Sequence, residues 1–168
     1  SGDGGQIKIE EGLKEIGAQT AGFCFDNERP RHTVYQTEAS IDRLPILNKE
    51  YMEFIKDGGY SNPLLWLSDG WAWREENEVD HPLYWIDRGD HWQEYTCAGR
   101  RAWRPDVPVA HISYYEASAF AQWKGARLCT EAERELVDPM VGDYNQLWEW
   151  TSSAYQPYPG FEAWEGEI

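Results

Sequence analysis

The sequence predicts an α+β fold that is irregular and loop-rich, with few short helices and strands. Helix start signals precede only short apolar runs, within residues 48–56, 113–124 and 130–138. Strand-like patterns are equally short and lie within residues 6–17, 32–35, 41–44 and 147–151. Residues 60–106 follow neither period and are rich in tryptophan and proline, so we expect packed loops there with no more regular structure than a hairpin.

The three helix signals share one design. A polar residue that caps helices well comes first, an acidic residue follows in the first turn, and apolar residues then recur at helical spacing. Glycines that tolerate a left-handed backbone come shortly after the first two segments, at Gly58 and Gly125. We therefore predict helices that begin after the N-caps Asn48, Ser113 and Thr130.

Charge and length limit the possible partners. The 168 residues suit a single domain that spans 1–168. Thirty acidic residues against 15 basic ones give a formal net charge of −15, which opposes binding to nucleic acid or to an anionic membrane surface. No apolar run approaches the roughly 18 residues of a membrane span. We expect neither nucleic acid nor membrane as a partner.

Aromatic side chains are expected to build the core. The mean hydropathy is −0.73, yet the chain has 10 tryptophans and 10 tyrosines. A disordered chain is normally poor in aromatic residues, whereas large rings can cover the backbone of irregular loops.

Three cysteines indicate the redox setting. Cys24, Cys97 and Cys129 are widely spaced, odd in number and outside any CxxC pattern. Neither a disulfide framework nor a structural zinc site fits this arrangement. We predict three buried thiols in a reducing, cytoplasmic protein.

Two stretches carry a family resemblance. Residues 108–133 read PVAHISYYEASAFAQWKGARLCTEAE, and residues 148–161 read WEWTSSAYQPYPGF. Together with Asp26–His32 and the helix after Asn48, they resemble, in this order, the formylglycine-generating-enzyme-like domain of ergothioneine-type sulfoxide synthases. The resemblance covers nearly the whole chain. It departs from the family pattern at Cys129, where proline is usual, and at Arg134, where tryptophan is usual.

The resemblance implies a fold and a function. The fold would be C-type-lectin-like and formylglycine-generating-enzyme-like. The family uses non-haem iron(II) and O2 to join a thiol, cysteine or γ-glutamylcysteine, to the imidazole of Nα-trimethylhistidine (hercynine) in ergothioneine biosynthesis. A selenium donor is an open variant, and the oligomeric state is left open.

The resemblance also bears on the metal. The four-helix (DinB-like) domain that carries the family's iron motif has no counterpart here, and the family's closing strands would lie beyond Ile168. We thus expect no metal ligands in this chain and Fe(II) supplied by a domain not present in it.

Two tyrosines are candidates for catalysis. A tyrosine of the lectin-like domain serves the family as proton donor, and by position after Trp-Thr-Ser-Ser the match is Tyr155, with Tyr158 second. The alternative is that both rings only pack the Pro-Tyr-Pro-Gly loop.

A polar loop is the candidate for substrate binding. The side chains of Asp26, Asn27, Glu28 and Arg29 could hold a zwitterionic amino acid, because a guanidinium binds carboxylate in a bidentate manner. In the alternative reading, Asp26 and Asn27 cap a turn and Arg29 pairs with a nearby acid.

Two functions are consistent with the sequence. The first is the substrate-covering part of an iron-dependent sulfoxide synthase, with trimethylhistidine, a thiol and O2 as small-molecule partners. The second is a lectin-like module that has kept the fold, lost the chemistry and binds a small ligand or a protein.

Overall fold

The computed structural model describes residues 5–18, 24–141 and 147–162. Its elements within these ranges are short, and they confirm the loop-rich α+β prediction. The strands are β1 Gln6–Ile9, β2 Gly12–Ile16, β3 His32–Gln36, β4 Ala39–Asp42, β5 Trp85–Asp87, β6 Trp92–Thr96 and β7 Gly99–Ala102. The helices are α1 Asn48–Lys56, α2 Ser68–Glu76, α3 Tyr114–Trp123 and α4 Glu131–Val137. In the part of the chain that the structure describes, no helix is both long and apolar enough to cross a membrane.

The chain forms two compact units. We call residues 1–44 with 129–168 the terminal unit, and residues 45–128 the middle unit. The terminal unit contains β1–β4 and α4, and the middle unit contains α1–α3 and β5–β7.

Two antiparallel strand pairs form the terminal unit together with α4. β1 pairs with β4, and β2 pairs with β3. Ile7 and Ile9 alternate with exposed residues along β1, so one face of this strand is buried. Both pack with Val137 of α4 in a small aliphatic core.

The predicted start of α4 is confirmed by its capping box. The Thr130 hydroxyl accepts a hydrogen bond from the Glu133 backbone N–H at 3.1 Å. In return, the Glu133 carboxylate accepts one from the Thr130 backbone N–H at 2.8 Å. Its other oxygen, Oε1, accepts a bond from Gln36 Nε2 of β3 at 3.1 Å. The cap therefore also fixes α4 against the strand.

The middle unit has the aromatic core that the composition predicted. Tyr51 and Phe54 of α1 are fully buried and contact Phe120 of α3, with ring centroids 5.2 and 5.8 Å away. Tyr60, Trp66 and Trp85 complete this cluster of rings. Helix α3 follows the predicted capping box, in which the Ser113 backbone N–H donates to Glu116 Oε2 at 2.7 Å.

Helix α1 begins one residue earlier than predicted. Its N-cap is Leu47, whose backbone N–H donates to the Glu50 carboxylate at 3.0 Å. The Asn48 side chain is buried and donates instead to the Arg104 carbonyl at 2.8 Å. The prediction that Asn48 caps the helix was wrong because this amide is used in a tertiary contact.

The prediction of packed loops with a hairpin for residues 60–106 was wrong in part: β6 and β7 form a hairpin, but the segment has more regular structure than that. This segment contains α2 and a three-stranded antiparallel sheet in the order β5-β6-β7. Helix α2 gave no periodic signal because its one fully buried residue is Gly70, while Trp71 and Trp73 are half-buried against the aromatic core. A Cβ atom on Gly70 would lie 2.7 Å from the Tyr115 ring, so glycine permits this close approach.

The alternating segment 147–151 is not the predicted strand. None of the strands in the described residues pairs with it, and Trp148 is fully exposed. An alternating pattern produces a strand only where a neighbouring strand accepts its backbone hydrogen bonds.

The three cysteines differ in exposure. Cys24 is buried, Cys129 is half-buried, and Cys97 is exposed at the turn between β6 and β7. All three are free thiols. The prediction of three buried thiols holds for Cys24 and was wrong for Cys97, because a residue at the tip of a tight turn has no neighbouring element to cover it.

Candidate functional site

The polar loop 26–29 forms a 3₁₀ turn in the terminal unit. The Arg29 backbone N–H donates to the Asp26 carbonyl at 3.0 Å, and the Phe25 N–H donates to the Glu28 carboxylate at 2.7 Å. Asp26 accepts from the Asn27 N–H at 2.8 Å. Arg29 donates through Nε to the Cys24 sulfur at 2.9 Å. Asp26 thus shapes the turn, as the alternative reading expected.

A second loop, residues 152–162, is attached to the start of α4. The Ser152 N–H donates to the Cys129 carbonyl at 2.7 Å, and the Glu131 N–H donates to the Ser153 hydroxyl at 3.0 Å. The Glu131 N–H is one of the donors that α4 leaves unpaired at its N-terminus. The two bonds fix the start of the loop that carries Tyr155 and Tyr158 relative to α4.

Tyr155 meets the polar loop at its hydroxyl. Its oxygen lies 3.2 Å from Asn27 Nδ2, which donates to it. The side chain is 87% exposed. Two predicted site residues that are 128 positions apart in sequence are therefore brought together.

Tyr158 is held in a different manner. Its hydroxyl donates to Glu135 Oε2 at 2.9 Å, and its ring lies edge-on to His32, with centroids 4.5 Å apart. Burial and then the bond to Glu135 raise the pKa of this phenol well above its usual range. Tyr158 therefore keeps its proton, which it donates to Glu135 in this hydrogen bond.

Glu135 is a site residue that the sequence reasoning missed. Its second oxygen accepts the backbone N–H of Gly17, so one carboxylate joins β2, α4 and the tyrosine loop. The spacing of Glu131, Glu135 and Asp138 on one face of a short helix was the available signal.

A cavity of about 340 Å³ lies next to Tyr158 and is acidic. Arg134 is its only guanidinium among the described lining residues, and it pairs with Asp138 at 2.9 Å and with Glu149. Partial desolvation of this largely exposed side chain and then Glu135 raise the pKa of Glu131. The lining residues are Ala18, Glu28, Glu131, Arg134, Glu135, Asp138, Thr151 and Tyr158.

A metal centre needs several converging ligands. Within residues 5–18, 24–141 and 147–162, no three histidine, cysteine, aspartate or glutamate side chains are grouped so as to hold a metal ion. The described residues therefore do not fit an iron site.

Comparisons with known proteins agree with the motifs. Residues 3–138 match the family described as the sulfatase-modifying factor enzyme 1-like domain. Hercynine oxygenase from Mycolicibacterium smegmatis is 34% identical over an alignment of 193 residues. The alignment covers 87% of this chain and 44% of that protein. The formylglycine-generating enzyme of Thermomonospora curvata is 28% identical over 147 residues, covering 79% of this chain and 48% of the relative.

A relative described as inactive also matches. The inactive C-alpha-formylglycine-generating enzyme 2 of Mus musculus is 27% identical over 163 residues, covering 85% of this chain and 49% of that protein. The chain spans less than half the length of each of these three relatives.

Proposed function

Because the chain belongs to the family of the sulfatase-modifying factor enzyme 1-like domain, we propose that it is one domain of an iron(II)- and O2-dependent sulfoxide synthase. The synthase joins a thiol, cysteine or γ-glutamylcysteine, to the imidazole of Nα-trimethylhistidine. The family match confirms the predicted resemblance, and the 34% identity to a hercynine oxygenase supports the choice of reaction.

The contact between Asn27 and Tyr155 carries this proposal. Asn27 Nδ2 donates to the Tyr155 oxygen, so the phenolic proton points away from the loop and is available for transfer. After transfer, the same bond stabilises the negative oxygen. The exposed phenol can reach a substrate that binds against this face of the terminal unit.

Tyr158 has a supporting part in this proposal. Its hydroxyl bond to Glu135 adds to the bonds of Ser152 and Ser153 that already hold the loop. Iron supplies the activation of O2, and we place its ligands outside the described residues, because these contain no suitable group.

The test compares the two tyrosines in the full-length protein that contains this chain. It is loaded anaerobically with Fe(II), supplied with trimethylhistidine, γ-glutamylcysteine and O2, and assayed for sulfoxide by mass spectrometry. Tyr155→Phe is expected to lower kcat about 100-fold, since a positioned proton donor contributes about 10²–10⁴-fold.

Tyr158→Phe is the matched control, because it removes a hydroxyl three residues away. It is expected to keep kcat within about threefold and to lower stability by about 1 kcal/mol, the net value of one hydrogen bond. A Tyr155→Phe protein with unchanged kcat contradicts the assignment of Tyr155.

The second candidate function is a non-catalytic binding module. The match to a relative described as inactive favours it. Intact mass and iron content of the full-length protein separate the two functions. About one iron per chain together with sulfoxide product supports the synthase, whereas no iron and no turnover supports the module.

A further inference from the structure

A cavity of about 590 Å³ in the middle unit shares no lining residue with the site described above. The segment after α2 and the segment that enters α3 form its walls. Its volume falls within the range of pockets that hold small molecules, about 300–1,000 Å³.

The backbone around this cavity is unusual. Glu78, Tyr84 and His111 line it, and their φ angles are 50°, 70° and 61°. They are the non-glycine residues with positive φ in the described part of the chain, and all three meet at this one cavity. Side chains with a Cβ are strained in this conformation, and such residues concentrate at ligand sites. The Tyr84 and His111 rings also contact edge to face, with centroids 4.9 Å apart.

A buried carboxylate lies in the wall of the cavity. Glu116 is 2% exposed, and it accepts bonds from the Tyr60 hydroxyl at 2.5 Å and from the Ser113 N–H at 2.7 Å. Both donors are neutral. Among the described residues, none forms an ion pair with Glu116.

The remaining lining suits an organic cation. Trp73 and Tyr84 provide aromatic faces, and the exposed Glu78 and Asp80 add carboxylates at the rim. No lysine or arginine is among the described residues of this lining. Aromatic faces combined with carboxylates attract ammonium groups through the ring quadrupole and through charge.

We propose that this cavity binds a small organic cation, with its ammonium group against the rings of Trp73 and Tyr84 and near the carboxylates of the lining. The observation that carries the proposal is the convergence at one cavity of three residues with positive φ, two aromatic rings and carboxylate side chains, without a lysine or arginine among the described lining residues. The site lies within the middle unit and shares no residue with the contact between Asn27 and Tyr155.

The first experiment uses two probes of the same shape. Choline carries the positive charge, and 3,3-dimethylbutan-1-ol is its neutral counterpart. Binding is measured by calorimetry and by chemical-shift changes of the indole N–H groups, on the protein without added iron. Choline is expected to bind about tenfold or more tighter than the alcohol, as a desolvated cation–π contact predicts. Equal binding of both probes, or no binding of choline at 20 mM, overturns the proposal.

The second experiment removes the ring without straining the backbone. Glycine accepts the positive φ of Tyr84, so Tyr84→Gly is expected to fold with unchanged or higher stability and to weaken choline binding about tenfold. Wild-type choline affinity in this variant contradicts the assignment.

A charge-neutralising pair completes the test. Glu78→Gln is expected to weaken choline about threefold, because a rim carboxylate acts through solvent. Glu75→Gln on α2 removes an exposed charge that does not line the cavity, and it is expected to change affinity less than about 1.5-fold. Equal effects of the two variants would indicate general charge attraction and not a site.

Discussion

The two units of this chain are stabilised by different interactions. The middle unit packs rings against rings, as Tyr51 and Phe54 do with Phe120. The terminal unit has a small aliphatic core and depends on buried or half-buried carboxylates, Glu133 and Glu135, which tie the strands and loops to α4.

Dense ring packing and directional hydrogen bonds order a chain in different ways. Ring packing stabilises in proportion to buried area and specifies few individual atoms. Hydrogen bonds to a carboxylate fix atoms at defined distances. The unit that needs an accurately placed phenol is the one ordered by hydrogen bonds, while the unit with the dense core supports strained residues around a cavity.

The largest expected effect lies in the aromatic core. Phe54→Ala removes a fully buried ring and should lower the free energy of unfolding by about 3–5 kcal/mol, through lost burial and a remaining cavity. Urea denaturation followed by tryptophan fluorescence measures this, since seven of the ten tryptophans belong to the middle unit. A loss below 1 kcal/mol would contradict the description of this core as densely packed.

A pair of adjacent glycines tests how densely the aromatic core is packed. A Cβ on Gly59 would lie 2.1 Å from the Phe54 ring, so Gly59→Ala should destabilise by about 1–3 kcal/mol through overpacking. Gly58 is the control: it has open space but a φ of 79°, so Gly58→Ala should cost only about 1 kcal/mol. Thermal denaturation of both variants compares crowding with backbone strain, and the reverse order would indicate a loosely packed ring.

In the terminal unit, Glu133→Gln tests the carboxylate tie. The amide that replaces the carboxylate has one oxygen, so it can accept only one of the bonds from Gln36 Nε2 and the Thr130 N–H. Its NH2 group then faces the other donor. The expected loss is about 1–2 kcal/mol in urea denaturation followed by circular dichroism. The exposed Glu131→Gln on the same helix should stay within about 0.5 kcal/mol. Similar losses in both would weaken the contrast between the units.

The smallest effect concerns pH and Tyr158. Burial and the bond to Glu135 raise the pKa of this phenol in the folded protein, whereas the unfolded protein loses the proton near pH 10. The folded state therefore binds more protons above pH 10, and its stability falls as the pH rises further. Tyr158→Phe should show a shallower fall between pH 10 and 11.5 than the wild type. Parallel stability curves would mean that Tyr158 does not contribute to alkaline unfolding.

Local signals in the sequence predicted local structure well. The capping boxes at Ser113 and Thr130 lie where predicted, because each is formed by residues three positions apart. Helix α2 could not be found from periodicity, since its fully buried position is Gly70, which has no side chain, and its Trp71 and Trp73 are only half-buried. The segment 147–151 was misjudged because strand pairing depends on a distant partner.

The candidate site shows the same limit. The sequence singled out Asn27 and Tyr155 separately, and their contact across 128 positions is a property of the fold alone. Glu135 was missed because its two partners, the Gly17 N–H and the Tyr158 hydroxyl, come from opposite ends of the chain.

The exposed cysteine has a practical consequence. Cys97 lies on a turn in solvent, Cys24 is buried, and burial raises the pKa of the Cys129 thiol, so the three thiols differ in reactivity. A maleimide dye at neutral pH should attach first to Cys97, which places a fluorescent reporter in the unit that contains the larger cavity. The same exposure means that storage in air will favour disulfide-linked dimers through this turn, and a reducing agent or Cys97→Ser will prevent them.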